Sequence, residues 1–261
     1  DDIAYPKALK RYFDLISNID NSKESIICST WQRIDSKSNI LKTGMINKFL
    51  FKNMILDEDI SKNINANVYK IKANILLKQA LKRFRNPLPF ATTAYPKYLH
   101  DKIEGYSWGG VISPDKGFVY KLLSEAKYVY IVDEPLFGYR VHDMNNASID
   151  SKNKTLKHPV DNYVLSFNID NNVLSKANIT RKELINAFVW HAIFVRVVES
   201  LSYFKGFLAL RTALFGFACY PQNLLSLTLF LISGGFCAFY PLSAPLLYLI
   251  RKIYKDPSHV K

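Results

Sequence analysis

Cysteines and acidic residues are both scarce in this chain of 261 residues. It contains three cysteines, Cys28, Cys219 and Cys237, and no Cys-x-x-Cys pair. Three cysteines cannot build a disulfide framework, and the missing pair argues against a cysteine-based zinc or redox site, so we expect a reducing compartment. The 22 acidic residues stand against 35 basic ones, which leaves a net charge of +13 and predicts an acidic partner.

Sequence signals for nucleic-acid binding are missing as well. The chain has no zinc-finger spacing, no arginine-rich stripe and no RNP-like aromatic motif. Its lysines are scattered among asparagines, as between residues 61 and 82, which is typical of a solvated surface. We therefore expect no nucleic-acid partner. The alternative, a basic nucleic-acid-binding protein, predicts salt-dependent retention on DNA or RNA.

Charged side chains are absent between residues 212 and 250, a run longer than the roughly 20 residues that span a bilayer as a helix. Pro221, Pro241 and Pro245 interrupt the run, so one straight helix is not expected. Basic residues flank it on both sides, which favours both ends in the cytoplasm. The run predicts a re-entrant hairpin or two short tilted spans; the alternative is a helical pair packed on the protein's own core.

The start of the chain shows the alternation of strand and helix that is typical of an α/β fold. A strand end and turn over residues 1–6 lead into a predicted helix over 7–19, and a short buried strand is predicted over 25–29. The helix prediction rests on apolar residues with helical spacing: Leu9, Tyr12, Phe13 and Ile16.

Farther along, the pattern predicts a long helix over 64–84, which ends at the proline-containing break 86–89. A helix over 116–126 precedes two extended runs, 128–132 and 135–141. A last clear helix is predicted over 180–200, where Thr180 and Glu183 have the spacing of a capping box.

Three short segments carry residues with a chemical use. Asp1 and Asp2 are adjacent carboxylates at a strand end, which suit Mg²⁺ or Mn²⁺ bridging to phosphates. Asp115 lies at a helix start, where it suits deprotonation of a substrate hydroxyl. Arg140 and His142 share one face of a predicted strand and suit a diphosphate or a metal. Each segment also has an ordinary explanation. The two aspartates could form an acidic turn, Asp115 could simply stabilise the helix dipole, and the last segment could be a polar surface strand.

The three segments follow one another in a specific order. Asp-Asp-Ile-Ala-Tyr-Pro (1–6) precedes Gly-Gly-x-x-x-Pro-Asp-Lys (109–116), and Asp-Glu-Pro-Leu-Phe-x-Tyr-Arg-Val-His (133–142) comes last. This order resembles the family 2 glycosyltransferases, which have a GT-A fold. The specific part of the resemblance covers residues 92–148 and the first few residues of the chain.

On the donor side, the resemblance implies a cation site. Asp2, or alternatively Asp1, would bind the Mg²⁺ or Mn²⁺ ion that holds the diphosphate of a nucleotide-sugar. His142 and Arg140 would approach that diphosphate or the metal.

On the acceptor side, the resemblance implies that Asp115 is the general base toward the acceptor hydroxyl, which gives inversion at the anomeric carbon. Trp108, Gly109 and Gly110 would bind the substrate and shape the acceptor pocket.

The resemblance also implies a domain plan. Residues 1–150 would be the C-terminal part of a GT-A catalytic domain, a partial α/β fold that lacks its N-terminal nucleotide-binding strands. Residues 151–205 would form a linker and helical region, and residues 206–261 an apolar, membrane-associated helical tail. Because the chain begins inside a motif, we expect a fragment that is inactive by itself.

The expected function is transfer of a sugar from a nucleotide-sugar to the hydroxyl of a carbohydrate or lipid-linked acceptor, in surface polysaccharide or glycolipid synthesis. The expected place is the cytoplasm, at the inner face of the cell membrane, as a peripheral or re-entrant protein. The alternative is a non-catalytic membrane-associated protein with a decayed transferase fold.

Overall fold

The structure, a computed structural model, describes residues 2–44, 51–106, 114–141, 156–202 and 205–238. The chain forms two compact units. The first comprises Asp1–Ala80, Arg85–Ile149 and Asp170–Asn178, and the second comprises Leu81–Phe84, Asp150–Ile169 and Ile179–Lys261. Helices and strands are mixed along the described residues, so the predicted α/β class is confirmed at this level.

The strands belong to the first unit. They are β1 (Ile3–Ala4), β2 (Ser25–Ile34), β3 (Ile40–Thr43), β4 (Ile55–Leu56), β5 (Val68–Lys72) and β6 (Tyr128–Arg140). They form a mixed sheet in the order β3-β2-β6-β5-β4, with β1 beside β6. The pairing of β2 with β6 is parallel, whereas the other pairings are antiparallel.

The helices are α1 (Ala8–Ser17), α2 (Glu58–Ile64), α3 (Ala73–Arg83), α4 (Lys97–Lys102), α5 (Pro114–Glu125), α6 (Lys157–Asn168), α7 (Asn171–Ala177), α8 (Arg181–Phe188), α9 (Val195–Ser202), α10 (Gly206–Cys219) and α11 (Leu224–Ala238). A π-helical segment, Val189–Phe194, joins α8 to α9. The predicted helix over 116–126 corresponds to α5.

Strand β6 is the longest strand and has partners along both edges. It pairs with β2 on one side, and with β5 and then β1 on the other. The β2 register shifts around the pair Thr30 and Pro135. A proline lacks the N–H that a regular ladder needs, so it is tolerated at such an irregularity. The two extended runs predicted at 128–132 and 135–141 are therefore one strand that passes through a bulge.

Helix α1 lies where it was predicted, but most of the apolar residues whose spacing indicated it are exposed. Tyr12 is buried, whereas Leu9, Phe13 and Ile16 are exposed. The buried stripe runs through Ala8, Tyr12 and Leu15 and packs in one core cluster with residues of β6. The helix carries two apolar stripes with the same spacing, and the period alone does not choose between them.

The predicted long helix over 64–84 is wrong. Helix α2 ends at Ile64, and Asn65 adopts a left-handed conformation with φ of 51°. Residues 68–72 then form β5 and pair with the first half of β6. The side chains of Val68 and Ile71 are buried at 0% and 2% exposure. Only after this strand does α3 begin, so pairing with β6 overrides the local helical pattern.

In the second unit, the predicted capping box is confirmed. The Thr180 hydroxyl accepts a hydrogen bond from Glu183 N, and the Glu183 carboxylate accepts one from Thr180 N. The predicted helix over 180–200 is present as α8, the π-helical segment and α9.

Aromatic side chains form much of the core of the second unit. Tyr163 lies 5.6 Å from Tyr220 and 6.3 Å from Phe188, measured between ring centroids. The Tyr220 hydroxyl is hydrogen-bonded to the Ser166 hydroxyl at 2.8 Å. Burial raises the pKa of Tyr220, which keeps this hydroxyl neutral over the ordinary pH range.

Helices α10 and α11 pack on each other, and the rings of Phe217 and Phe230 stack at 5.6 Å. Several apolar side chains of the pair are exposed: Phe207, Leu214, Leu224, Leu231 and Ile232. By length and composition alone, one helix in the described part of the chain suffices to cross a membrane. It is Arg181–Leu201, with 21 residues, a mean hydropathy of 1.5 and half of its window buried, as core helices of soluble proteins also are.

Leu15→Ala should destabilise the first unit by about 2–5 kcal/mol, because Leu15 is fully buried and its truncation leaves a cavity. Leu9→Ala is the matched control, since Leu9 lies on the same helix and is 71% exposed. It should change the free energy of unfolding by less than about 0.5 kcal/mol. Urea unfolding of both variants measures the difference, and equal losses would contradict the assigned face of α1.

Candidate functional site

Asp2 and Arg140, which come from two separate motifs, are neighbours in the sheet. Strand β1 runs antiparallel to β6, with Ile3 opposite Gly138. The Asp2 Oδ1 atom accepts a hydrogen bond of 3.1 Å from Arg140 N. The first aspartate motif and the Tyr-Arg-Val-His segment therefore meet at the end of β6. Asp1 and His142 lie outside the described residues.

The guanidinium group of Arg140 binds the turn between β2 and β3. It donates hydrogen bonds to the carbonyl oxygens of Asp35 at 2.8 Å and Ser36 at 2.9 Å, and to the Ser38 hydroxyl at 3.1 Å. Ser38 has a φ of 67° and needs such support. Arg140 thus connects the 35–38 turn to β6, the strand whose backbone binds the Asp2 carboxylate.

Asp35 organises the same turn from within. Its carboxylate accepts hydrogen bonds from the backbone N–H groups of Lys37 and Asn39 and from the Asn39 side chain, at 2.8, 2.8 and 2.9 Å. The bonds from Asn39 lower the pKa of Asp35 most, and the charge of Arg140 contributes in the same direction. Asp35 therefore stays ionised, and its charge complements Arg140.

Gly138 explains the unspecified position in the Phe-x-Tyr-Arg segment. A Cβ atom at Gly138 would lie 2.9 Å from Ile34 Cδ1 and 3.2 Å from the Tyr5 hydroxyl. Tyr5 in turn donates a hydrogen bond of 2.9 Å to Gln32. The close approach of β1, β2 and β6 at this end of the sheet therefore favours glycine, since a larger residue would displace the ends of the Ile34 and Tyr5 side chains.

Asp115 lies in the first turn of α5, as predicted, and its carboxylate has a defined partner. Asn86 Nδ2 donates a hydrogen bond of 3.1 Å to Asp115 Oδ2, while Asn86 Oδ1 accepts one from Leu88 N at 3.2 Å. The segment 86–89, which the sequence marks only as a helix break, thus supplies a side chain that orients Asp115. Trp108, Gly109 and Gly110 lie outside the described residues.

The sequence interpretation missed Asn86 as a site residue. An asparagine before Pro-Leu-Pro is a signal for a side chain that bonds its own backbone two residues on, as Asn86 does with Leu88. Its second bond, to Asp115, joins residues 29 positions apart and has no local signature.

Glu134, inside the Asp-Glu-Pro-Leu-Phe segment, fastens β6 to α1. Its carboxylate is bound by Lys7 and by Arg11 Nε, the latter at 2.8 Å. Burial alone would raise the pKa of Glu134, but the hydrogen bonds from Lys7 and Arg11 outweigh burial and hold the pKa below its usual value. This clamp joins the helix after the first motif to the strand of the last motif.

The described residues offer a divalent cation a suitable ligand but not a complete ligand set. Asp2 offers a carboxylate, the ligand type that Mg²⁺ and Mn²⁺ prefer. No group of three His, Cys, Asp or Glu side chains with metal-site geometry occurs among the residues that the structure describes. Asp1 and His142, the other two predicted ligands, are not among them. The chemistry of Asp2 fits the ion, and the full ligand set stays a prediction.

Comparison of the chain with known protein families and with curated proteins identified no relative. No model of a known protein family matches the chain, and no curated protein matches its sequence. The resemblance to family 2 glycosyltransferases therefore rests on the motifs alone.

Glu134→Gln should lower the free energy of unfolding at pH 7 by about 1–3 kcal/mol, because it removes the charge that Lys7 and Arg11 bind. The folded-state pKa of Glu134 is depressed, so its contribution is full above the unfolded pKa of about 4.3 and is lost as pH falls through the folded value. The difference between wild type and variant in urea unfolding should therefore shrink as the pH falls below about 4.3. A difference that does not depend on pH would contradict the clamp.

Proposed function

We propose that this chain is the C-terminal part of an inverting family 2 glycosyltransferase with a GT-A fold. It transfers a sugar from a nucleotide-sugar to an acceptor hydroxyl, in surface polysaccharide or glycolipid synthesis. The observation that carries the proposal is the hydrogen bond between Asp2 Oδ1 and Arg140 N, since it joins two motifs that are 138 positions apart. A chance match between short sequence patterns gives no reason for such a juxtaposition.

In the proposed reaction, the Asp115 carboxylate removes the proton from the acceptor hydroxyl. The acceptor oxygen forms a bond to the anomeric carbon as the bond from that carbon to the diphosphate breaks. The nucleoside diphosphate leaves with the electron pair, and the configuration inverts. The amide of Asn86 holds the Asp115 carboxylate in one orientation during this step.

On the donor side, Asp2, with Asp1 and His142, would hold the Mg²⁺ or Mn²⁺ ion, which when bound offsets the negative charge of the diphosphate. Arg140 is proposed to approach the same diphosphate from the end of β6. Its bonds to the 35–38 turn restrict its motion and keep its charge at this edge of the sheet.

Membrane association is the second part of the proposal. The exposed apolar side chains of α10 and α11 support contact with lipid, where they would leave water. The hydroxyls of Thr212 and Thr228 donate to the carbonyl oxygens of Leu208 and Leu224 within their own helices. These internal bonds satisfy the two threonine hydroxyl donors without water. With 14 residues, α10 is about 21 Å long, shorter than a bilayer core of about 30 Å, which fits a re-entrant hairpin at the inner membrane face.

The competing proposal is a non-catalytic membrane-associated protein that keeps a decayed transferase fold. It shares the apolar helix pair and differs in requiring nothing of Asp115. Replacing the Asp115 carboxylate therefore distinguishes the two proposals, because only the transferase needs it for activity.

Asp115→Asn should reduce sugar transfer by about 100-fold or more, because the amide cannot accept the proton. The protein is expressed from its natural gene, and membranes holding it are supplied with UDP-, GDP- and dTDP-linked hexoses. Acceptor-dependent release of nucleoside diphosphate is the readout.

Asp59→Asn is the matched control for this experiment. Asp59 also lies in the first turn of a helix, α2, so its replacement removes a similar helix-dipole interaction. Asp59 is exposed, whereas Asp115 is partly buried. This control should keep full activity. Equal activity in wild type and Asp115→Asn, or no release with any donor, would favour the non-catalytic alternative.

Leu231→Lys and Leu214→Lys should weaken membrane binding, because each places a charge on the exposed apolar surface of the α10–α11 pair. Flotation with vesicles of phosphatidylcholine and phosphatidylglycerol measures the bound fraction. Leu41→Lys is the control, since Leu41 is 59% exposed and lies on β3 in the first unit. Unchanged flotation of the two helix variants would contradict the proposed membrane surface.

A further inference from the structure

A cluster of aromatic rings surrounds Phe118 in the first unit. Phe118 is 1% exposed and lies at the centre of the cluster. Its ring centroid is 5.0 Å from that of Tyr106, 5.4 Å from that of Tyr95 and 6.4 Å from that of Phe90. These contacts give each outer ring a fixed position against a buried centre.

Two of the outer rings are about half exposed to water. Phe90 is 51% exposed and Tyr106 is 46% exposed, and their centroids are 5.9 Å apart at an interplanar angle of 63°. Each ring is anchored on Phe118 and also contacts the other, so neither is a lone surface aromatic. Together they present a preformed apolar surface to solvent.

This surface lies beside Asp115. Asp115 and Phe118 are three residues apart on α5, so they share one face of the helix. Burial raises the pKa of Tyr106, and the negative charge of Asp115 raises it further. Asn86, which binds Asp115, adds an amide to the same place.

We propose that Phe90 and Tyr106 are acceptor-binding residues, and that the acceptor is a pyranoside whose C–H face stacks on their rings. The inference rests on the proposed function and names the substrate class of its acceptor side. A pyranose ring carries an apolar face of C–H groups and a polar edge of hydroxyls. An aromatic surface beside a carboxylate and an amide offers a partner for both parts at once.

This surface is not suited to an acyl chain alone. A hydrocarbon would gain from Phe90 and Tyr106 but would remove water from Asp115 without replacing its hydrogen bonds, which is unfavourable. A sugar hydroxyl replaces that water and lies where Asp115 can take its proton.

The test measures binding of methyl β-D-glucopyranoside and methyl β-D-galactopyranoside to the full chain in detergent. Saturation-transfer NMR detects the bound glycoside. Phe90→Ala and Tyr106→Ala should each weaken binding by about 3- to 10-fold, the range of one aromatic contact. Tyr106→Phe should bind as wild type, because it keeps the ring. Glycerol, which has hydroxyls but no ring, should give no saturable signal at this site.

Tyr98→Ala is the matched control, since Tyr98 is 54% exposed and lies on α4, and its ring is not among those described around Phe118. It should bind the glycosides as wild type does. Because Phe90 and Tyr106 are half exposed, their alanine variants should fold, and an unchanged near-ultraviolet circular dichroism spectrum outside the lost ring's own band checks this. Wild-type affinity in both folded alanine variants, or no binding by the wild type, would overturn the inference.

The inference and the proposed function fail in different ways. If nucleotide is released in the transfer assay but the acceptor KM of Phe90→Ala and Tyr106→Ala equals that of the wild type, the acceptor assignment is wrong and the transferase stands. If no donor is cleaved while the glycosides bind in a ring-dependent way, the transferase proposal is wrong and the sugar-binding surface stands. A raised acceptor KM with an unchanged donor KM supports both.

Discussion

Strand β6 is the element on which the first unit depends, because its two edges hold the rest of the sheet in register. Its parallel pairing with β2 fixes one side, while β5 and β1 share the other. A parallel pair requires a long connection, and in this chain the segment between positions 34 and 128 supplies it. The position of Asp2 beside Arg140 follows from this register rather than from any local preference of the first residues.

Two polar groups hold the candidate site to this strand from opposite sides. Glu134 binds Lys7 and Arg11 of the α1 region, and Arg140 binds the turn at 35–38. Each group pairs a charge with hydrogen-bonding partners at a partly buried position, where electrostatic interactions are stronger than in bulk water. The segment 133–142 therefore combines residues that stabilise the sheet with residues assigned to substrate, and a substitution there affects both.

Local sequence patterns predicted those helices and strands that are determined by residues close together in the chain. The strand at 25–29, the helix at 116–126 and the capping box of Thr180 were found because side-chain period and capping chemistry are encoded within a few residues. Strand β5 was missed because its partner strand lies about 60 positions away in the chain. The spacing in α1 predicted a helix but not its buried face, because both of its stripes are apolar. At the candidate site, Asp115 was predicted, but Asn86 and the rings around Phe118 meet only through tertiary packing.

The π-helical segment has a consequence for how the second unit tolerates insertions and deletions. Buried side chains follow one another at Leu184, Phe188, Ile193, Val197 and Leu201, with steps of four, five, four and four residues. The step of five falls in the π segment, and Ile193 there packs so closely on Gly216 that a Cβ would lie 2.7 Å from it. One residue rotates a helix by about 100°, so losing one from this segment would turn the whole stripe after it away from its partners. The extra residue of the π segment thus keeps the buried residues of α9 facing their partners, and its deletion would require the packing of α9 to change as well.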